Sequence, residues 1–592
     1  MTGHASHLGS IKLTVVARIA AESRTRTLFA GVAMALGALA GTGCASGGPA
    51  ATATGGTGSE TTNNPSGGPG LGTGGGSGES AALTLDTGRT VIRRLNRTEY
   101  NLTVRDLLGT STTPGDSLPV ESATDFFDTV GEFLSMSPLQ FETLETAASA
   151  LTDELFALPA TDPKRAKVFV CTAGDEATCA RQILTAFARR AFRRPAATAE
   201  IDSLMALIDK VRAGGTYDDG LKAAITAVLL SPHFLYKEET SVGVAENAPP
   251  KPLNAFELAT RLSYFLWSTM PDDALSASAD TGKLVSAPAE LAAQLERMLA
   301  DPKSETLSSN FARQWLALSR MDAVNVNVDT TVYPSYDPEL PAAAQEETAT
   351  FFSHLISENL PLHTLIDADF TYANARLAKH YGLTAAGNSL MRVSLAGTPR
   401  AGLLTQTSFL MGNSHPDVSS PVQRGNWILQ RILCAATPPP PNNVDLSFKP
   451  GATGVTARAV LESHRMDPAC GACHNLIDPL GLGLENFDGI GAYRTMDNGA
   501  PVDASGTYPG GATFAGATEL SRLIAQDSRY STCVTKNLLT YGAGRLFSSP
   551  ESMTYADALA QRAMAAGSGT WRSWISMVAS SEAFRTNRPD SP

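Results

Sequence analysis

The sequence has little of several features that would point directly to a function. Basic residues are not in excess, because 46 Lys and Arg stand against 58 Asp and Glu, and the formal net charge is −12 at pH 7. Nucleic-acid-binding proteins usually present a basic face, so we predict no nucleic-acid partner. The G-x-S-x-G and H-E-x-x-H signatures of common hydrolases are also missing. The sequence therefore leaves open whether the protein is an enzyme.

Strand-like patterns are scarce as well. Apolar and polar residues seldom alternate with period two, and no repeat of fixed length is present. Helical spacing recurs instead, for example in "NRTEYNLTVRDLLG", which starts with a cap-like Asn96 or Thr98 and stops at Gly109. A chain of 592 residues is too long for one hydrophobic core. We predict a mainly α fold, a multi-domain helical body with long loops.

Proline- and glycine-rich breaks near 110–120, 240–252 and 435–455 divide this body. The predicted units are a signal segment over 1–44, a low-complexity tether over 45–85, an N-terminal helical unit over 86–160, a second helical unit over 165–235, a central helical domain over 236–385, a domain with a C-x-x-C-H motif over 395–495, and a C-terminal helical unit over 500–590.

The N-terminus has the pattern of an export signal. Four basic residues between 12 and 26 precede an apolar run that begins at Leu28 and is short for a membrane span. Cys44 stands where a bacterial lipoprotein signal has its acylated cysteine, although an ordinary cleaved signal would leave Cys44 without a role. The Gly-, Ser- and Thr-rich segment after it predicts a disordered tether with a reach of roughly 35 Å. We expect an exported lipoprotein anchored to a membrane, in the periplasm or at the cell surface.

The cysteine count is small and odd. Of the seven cysteines, Cys171 and Cys179 flank a short loop before a helix, which favours a local disulfide. Cys434 and Cys533 would join the C-terminal unit to the segment before it, or would remain two buried free thiols. Lipid attachment would account for Cys44, and the last two cysteines belong to the C-x-x-C-H motif.

That motif consists of Cys470, Cys473 and His474. Covalent attachment of haem c uses two such thiols for thioethers and the following His as an iron ligand, and it takes place outside the cytoplasm. Zinc bound by these residues and His464 is an alternative, but neighbouring side chains such as Cys473 and His474 rarely converge on one tetrahedral ion. A redox C-x-x-C or a structural disulfide is a third alternative. We favour haem.

The sixth ligand of such a haem is not evident from the sequence. His415 lies in a polar loop, where a His is free to serve chemistry, and it is the first candidate. The other candidates are Met411, Met466, Met496 and Met553.

A glycine- and acid-rich run follows the motif and suggests a wider site. Its charged residues are Asp478, Glu485, Asp488 and Arg494. The carboxylates have two possible partners, Arg494 or a hard cation such as Ca²⁺. The simpler interpretation is a capped turn with a surface salt bridge.

Several phrases resemble a known family. These are "RRLNRTEYNLTVRDLLG", "CARQILTAFARRAFRRPAATAEI", "ELATRLSYFLWSTMPDDAL", "RAGLLTQTSFLMGNSHPDVSSPVQRGNWILQRILC" with the C-x-x-C-H segment, and "LLTYGAGRLF". In this order they resemble an exported bacterial array of domains of unknown function, of the 1587/1595/1592/1588/1585 type, which is associated with planctomycete-type cytochrome c domains. The resemblance implies export and a role for Cys470, Cys473 and His474, but it implies no activity.

Two functional hypotheses follow. The first is an exported protein with one covalent haem, which transfers electrons to a redox partner protein or oxidises a substrate. The second is a non-haem binding or structural protein of the cell surface, in which the C-x-x-C is a disulfide.

Overall fold

The computed structural model describes residues 92–121, 127–171, 174–239, 250–435, 437, 454–466, 468–567 and 569–587, with only the backbone at 468 and 469. The predicted signal segment, Cys44 and the tether over 45–85 lie outside the described residues. The described residues all belong to one compact unit, Leu85–Pro592. Within these ranges, no helix has both the length and the apolar character that crossing a membrane requires.

The prediction of a mainly α fold is confirmed. The α-helices are α1 (Arg97–Leu108), α2 (Pro138–Ala157), α3 (Pro163–Ala166), α4 (Glu176–Phe192), α5 (Thr198–Arg212), α6 (Tyr217–Leu229), α7 (Pro232–Leu235), α8 (Ala255–Trp267), α9 (Asp273–Asp280), α10 (Lys283–Ser286), α11 (Pro288–Ala300), α12 (Arg313–Trp315), α13 (Leu340–Ser357), α14 (Thr364–Asp367), α15 (Ala375–Tyr381), α16 (Thr407–Gly412), α17 (Pro421–Trp427), α18 (Ala457–Arg465), α19 (Pro468–Leu482), α20 (Ala517–Gln526), α21 (Ser528–Ala543), α22 (Pro550–Ala565), α23 (Trp571–Ser580) and α24 (Glu582–Arg585).

The strands of the described ranges form only antiparallel pairs. These are β1 (Arg93–Arg94) with β2 (Tyr236–Lys237), β3 (Lys251–Pro252) with β10 (Thr586–Asn587), β4 (Phe370–Ala373) with β5 (Met391–Ser394), β6 (Met496–Asp497) with β7 (Ala500–Pro501), and β8 (Ser505–Thr507) with β9 (Thr513–Ala515).

Helix α1 has the ends that its sequence predicts. The Asn96 side chain accepts a hydrogen bond from the backbone N–H of Glu99, and the Glu99 carboxylate accepts one from the Asn96 N–H. This reciprocal cap satisfies two N–H groups that the first turn would leave unpaired. Gly109 ends the helix in the left-handed region, at φ 77°, where a residue with a Cβ is strained.

Strand pairing brings distant parts of the chain together. β1 pairs with β2 across more than 140 residues, and β3 pairs with the C-terminal strand β10. Arg261 of α8 supports the second pair, because its Nη1 donates to the carbonyls of Phe584 and Thr586 at 2.5 and 3.1 Å. The start of the central domain is therefore fixed to the end of the chain.

A buried salt bridge lies beside β1 and β2. Lys237 Nζ is 2.5 Å from Glu99 Oε1, and both side chains are almost fully shielded from water. Burial lowers the pKa of Lys237 to about 8, although the Glu99 carboxylate opposes this shift. The pair joins α1 of the N-terminal unit to β2, which directly follows the second helical unit.

Aromatic rings from several predicted units share one core. Trp571 of α23 packs against Phe352 of α13, with ring centroids 4.9 Å apart, and against Trp315 at 6.5 Å. Phe311 contacts both Trp315 and Tyr541 of α21, at 5.5 and 5.4 Å. The central and C-terminal units thus bury their rings against each other. The exact boundaries of the predicted units remain predictions.

Both predicted disulfides are present. Cys171 pairs with Cys179, and Cys434 pairs with Cys533 of α21. The alternative that Cys434 and Cys533 are free thiols is therefore wrong. The second bridge spans 99 residues and ties the segment after α17 to the C-terminal unit.

A buried carboxyl group lies where the central domain meets the domain with the C-x-x-C-H motif. Glu347 is fully buried, and it accepts hydrogen bonds from Thr371 Oγ1 at 2.5 Å and from the Tyr381 hydroxyl at 2.6 Å. Tyr381 in turn accepts the N–H of Thr407 in α16 at 2.9 Å. Arg400 lies over the Tyr381 ring at 3.9 Å. Burial raises the pKa of Glu347 to about 7.

Removal of the long-range disulfide should destabilise the protein more than removal of the local one. The chain-entropy model gives about 5 kcal/mol for a loop of 99 residues and about half of that for a loop of eight. We expect Cys434→Ser/Cys533→Ser to lower the denaturation midpoint clearly below that of the matched control, Cys171→Ser/Cys179→Ser. Equal midpoints for the two double variants would contradict this prediction.

Glu347 should make stability depend on pH. Its folded-state pKa of about 7 lies above the ordinary 4.5, so the folded protein binds the proton more tightly than the unfolded chain. The free energy of unfolding should therefore fall as the pH rises from about 4.5 to about 7, by an amount of the order of 3 kcal/mol. Glu347→Gln should remove this part of the pH dependence in denaturant titrations. Glu346→Gln, at the exposed neighbour, should retain it.

Candidate functional site

The C-x-x-C-H motif lies in the first half of α19. Residues three and four apart share one face of a helix, so Cys470, Cys473 and His474 lie on the same side of α19. All three are half-buried. Neither cysteine is in a disulfide, so two thiols and an imidazole are available together. The helix continues past Pro479 to Leu482.

His474 is oriented by a carboxylate one turn further along. Its Nδ1 lies 2.8 Å from Oδ1 of Asp478, whose side chain is completely buried. An Nδ1–H that donates to a carboxylate leaves Nε2 as the nitrogen with a free lone pair. Metal-binding histidines commonly have such a partner, which fixes the ring and makes the free nitrogen more basic.

Two residues of α18 complete the surroundings of this pair. The rings of His464 and His474 meet edge to face, with centroids 4.8 Å apart. Arg465 Nε is 3.8 Å from Asp478 Oδ2, which is too long for a hydrogen bond. Oδ2 has no hydrogen-bond partner although it is buried.

The zinc alternative finds no support in this arrangement. Over the described ranges, no three His, Cys, Asp or Glu side chains are grouped closely enough to hold a metal ion. His464 lies beside His474, but the two cysteines do not join them in a ligand cluster. A haem attached to the thiols needs only one nitrogen from the protein on this side. The unbonded thiols and the free Nε2 of His474 fit that donor set.

Helix α19 is held in place by a close crossing with α17. A Cβ at Gly425 would overlap the carbonyl oxygen of Ile477, and a Cβ at Gly481 would overlap the carbonyl of Pro421. The two backbones approach so closely that only glycine fits at both positions. The crossing lies in the second half of α19, so the first half, with the motif, extends beyond it.

Arg424 of α17, which the sequence analysis did not identify, organises the run after the motif. Its buried guanidinium donates to the carbonyls of Leu484, Phe487 and Asp488 at 3.1, 2.7 and 2.6 Å. Glu485 Oε1 lies 3.5 Å away and gives the charge a partner. Burial lowers the pKa of Arg424 to about 10. An arginine among the apolar residues of "PVQRGNWIL" is the only signal that the sequence offers.

The acidic residues of this run have protein partners. Glu485 Oε2 accepts hydrogen bonds from Arg494 at 2.8 Å and from Ser419 at 2.9 Å. Asp488 Oδ1 accepts the N–H groups of Ile490 and Ala492 at 3.0 and 2.9 Å. The run is a capped turn with a salt bridge, as in the simpler interpretation. The salt bridge is buried rather than on the surface, because Glu485 also faces Arg424.

The candidate sixth ligands belong to parts of the chain other than α19. The His415 N–H donates to the Val418 carbonyl at 2.9 Å, and its Nε2 lies 3.5 Å from the Gln423 amide nitrogen. Met411 is buried in α16, and Met466 is 83% exposed. Met496 in β6 is exposed, and Met553 in α22 is half-buried. None of these five residues has a hydrogen bond or ring contact to His474 within the described ranges.

No curated protein and no solved structure has significant similarity to the chain. Five family models match it in succession. Their descriptions are Protein of unknown function (DUF1587) at 93–157, (DUF1595) at 179–239, (DUF1592) at 253–383, (DUF1588) at 400–497 and (DUF1585) at 510–584.

The model at 400–497 contains the C-x-x-C-H helix and is named PSCyt3, a cytochrome-type name. The order of the five matches is the order that the sequence resemblance predicts, and that resemblance is confirmed. The chain therefore carries these five domains of unknown function in one array.

Proposed function

We propose that this protein is an exported, lipid-anchored haem protein with one covalently attached haem on α19. Cys470 and Cys473 would form the thioethers, and His474 would ligate the iron through Nε2. The observation that carries the proposal is the 2.8 Å contact between His474 Nδ1 and the buried Asp478, beside two unbonded thiols. The cytochrome-type name of the matching domain agrees with it.

A bound haem supplies one-electron chemistry, with a potential set by its axial ligands and their partners. The residues of the chain have separate roles around it. Asp478 holds the His474 ring in one orientation, and its negative charge makes Nε2 a stronger ligand. The close crossing of α17 and α19 holds the helix itself. The large helical body would bind the redox partner protein or the substrate, so the role is electron transfer or oxidoreduction outside the cytoplasm.

Export is supported by the N-terminal pattern and by the cysteines. Disulfides persist in oxidising compartments and are rare in the cytosol, and this chain has two. Covalent haem attachment also takes place outside the cytoplasm.

Cys44 would carry the lipid anchor. We expect the wild type to sediment with membranes after cell lysis and Cys44→Ser to move to the soluble fraction, because one cysteine holds the chain at the membrane. Ser46→Ala, two residues away, is the control and should stay with the membranes. Equal distributions of wild type and Cys44→Ser would contradict the anchor.

Haem attachment is tested in a host that matures c-type cytochromes. We expect the wild type to retain haem on a denaturing gel and to give a reduced-minus-oxidised absorption difference. Cys470→Ser/Cys473→Ser should lose the stain, because no thioether can form. His464→Ala, which changes a neighbour outside the motif, should keep it.

The variant Asp478→Asn tests whether the hydrogen bond between Asp478 and His474 tunes the haem. It should keep the stain and raise the reduction potential, because His474 becomes a weaker electron donor. If the wild type carries no covalent haem and Cys470 and Cys473 form a disulfide, the haem proposal is wrong. The protein is then a non-haem binding or structural protein of the cell surface.

A further inference from the structure

A cleft of about 550 Å³ lies against a second face of α19. Asn475, Pro479 and Leu482 form one wall, and their spacing of four and three residues places them on one stripe of the helix. Asn475 follows Cys473 by two residues, which is about 200° around a helix. The cleft is therefore separate from the thiol face, and its volume is that of a small-molecule site.

The opposite walls combine charge with apolar surface. Arg458 and Arg465 of α18 contribute the charge, and Tyr508 and Phe514 of the β8–β9 hairpin contribute rings. Arg458 is already used by the fold, because its Nε and Nη2 donate to the Asp503 carbonyl at 3.1 and 3.0 Å. It attaches the hairpin to α18.

Arg465 differs from Arg458 although both line the same cleft. Its side chain is only 20% exposed, and among the described residues the carboxylate oxygens nearest to it are at 3.7 Å on Glu462 and 3.8 Å on Asp478. The guanidinium has no hydrogen bond to any part of the chain that the structure describes. A guanidinium has five N–H donors, and those of Arg465 are accessible from the cleft that it lines. These donors are available to a ligand.

The neighbouring carboxylate strengthens this observation. Asp478 Oδ2, which is fully buried, also has no hydrogen-bond partner and faces Arg465 from 3.8 Å. The two groups are close enough to attract each other but do not bond. Arg465 therefore lies between Asp478 and the open cleft, with donors left over on the cleft side.

We propose that this cleft binds a small organic anion, a carboxylate or phosphate group carried on a flat apolar body. Arg465 would bind the oxyanion, because the guanidinium fork matches a carboxylate or a phosphate with two parallel hydrogen bonds. Asn475 would add an amide donor, and Phe514 and Leu482 would contact the apolar body. This inference goes beyond the proposed haem function, since binding requires neither the thiols nor a haem.

The cleft lies close to the histidine of the C-x-x-C-H motif. Arg465 faces Asp478, and Asp478 accepts the hydrogen bond of His474. A bound anion would thus lie two side chains away from the imidazole of the motif. The ligand would be placed close to the residues that the proposed function assigns to redox chemistry.

Calorimetric titration of the full chain tests the proposal. The probes are naphthalene-2-carboxylate, 2-naphthyl phosphate and the neutral 2-naphthamide, which share one apolar body. We expect at least one anionic probe to bind at least about tenfold more tightly than the amide, since hydrogen bonds between a guanidinium and an anion are stronger than those to a neutral group. The relative affinity of the two anions tells a carboxylate site from a phosphate site.

Variants then assign the binding to Arg465. Arg465→Gln should lower the affinity for the anionic probe about tenfold or more. Arg465→Lys should lower it less, because the positive charge remains although the paired N–H donors of the guanidinium are lost. Arg522→Gln, at an exposed arginine of α20, makes the same change in net charge and should leave the affinity unchanged. If Arg465→Gln unfolds because Asp478 loses its counter-charge, Arg465→Gln/Asp478→Asn keeps the pair neutral and serves instead.

Three results would overturn the inference: no saturable binding of either anion to the wild type, equal affinity for anion and amide, or unchanged affinity in Arg465→Gln. Cys470→Ser/Cys473→Ser keeps this test separate from the haem test. Its affinity for the anion should equal that of the wild type, whether or not the wild type carries haem.

Discussion

The salt bridge between Lys237 and Glu99 is almost completely removed from water, and the arrangement of the helical body depends on it. Breaking a buried ion pair by moving one partner costs about 3–5 kcal/mol, because the other charge is left without compensation. Glu99 belongs to the first turn of α1 and Lys237 to β2. In the same region, Arg261 of α8 binds the carbonyls of the C-terminal segment. The N-terminal, second, central and C-terminal units are thus coupled by charges, in addition to their shared aromatic core.

The same constraint operates beside the C-x-x-C-H motif. Arg424 is fully buried, and its Nη1 and Nη2 groups donate to the carbonyls of Phe487 and Asp488 in the turn after α19. The glycines at the crossing of α17 and α19 permit the close approach that brings Arg424 to that turn. The second half of α19 is fixed by these contacts. In the first half, the two cysteines and His474 of the motif remain half-exposed, so that the proposed haem could reach them.

Helix α19 therefore has two faces with different chemistry. One presents the thiols and His474, and the other lines the cleft beside Arg465. The His474–Asp478 hydrogen bond and the unbonded Arg465 connect them in one row of side chains. A redox group on one face and an anion on the other would give this domain a compact site, without any catalytic residue from the remaining units.

The amino-acid sequence by itself determined the helical class, the end of α1 at Gly109 and the motif, because each depends on local spacing. It predicted both disulfides from the count of cysteines, but the structure decided that Cys434 and Cys533 pair and that Asn96 caps α1. The domain array was also predictable from its phrases. The tertiary structure alone decided the roles of Arg424, Glu347 and Arg465, whose partners lie in other elements of the chain. It also made the salt bridge of Glu485 a buried one. Burial and pairing are properties of the packed chain, and no spacing rule gives the surroundings of a single charged residue.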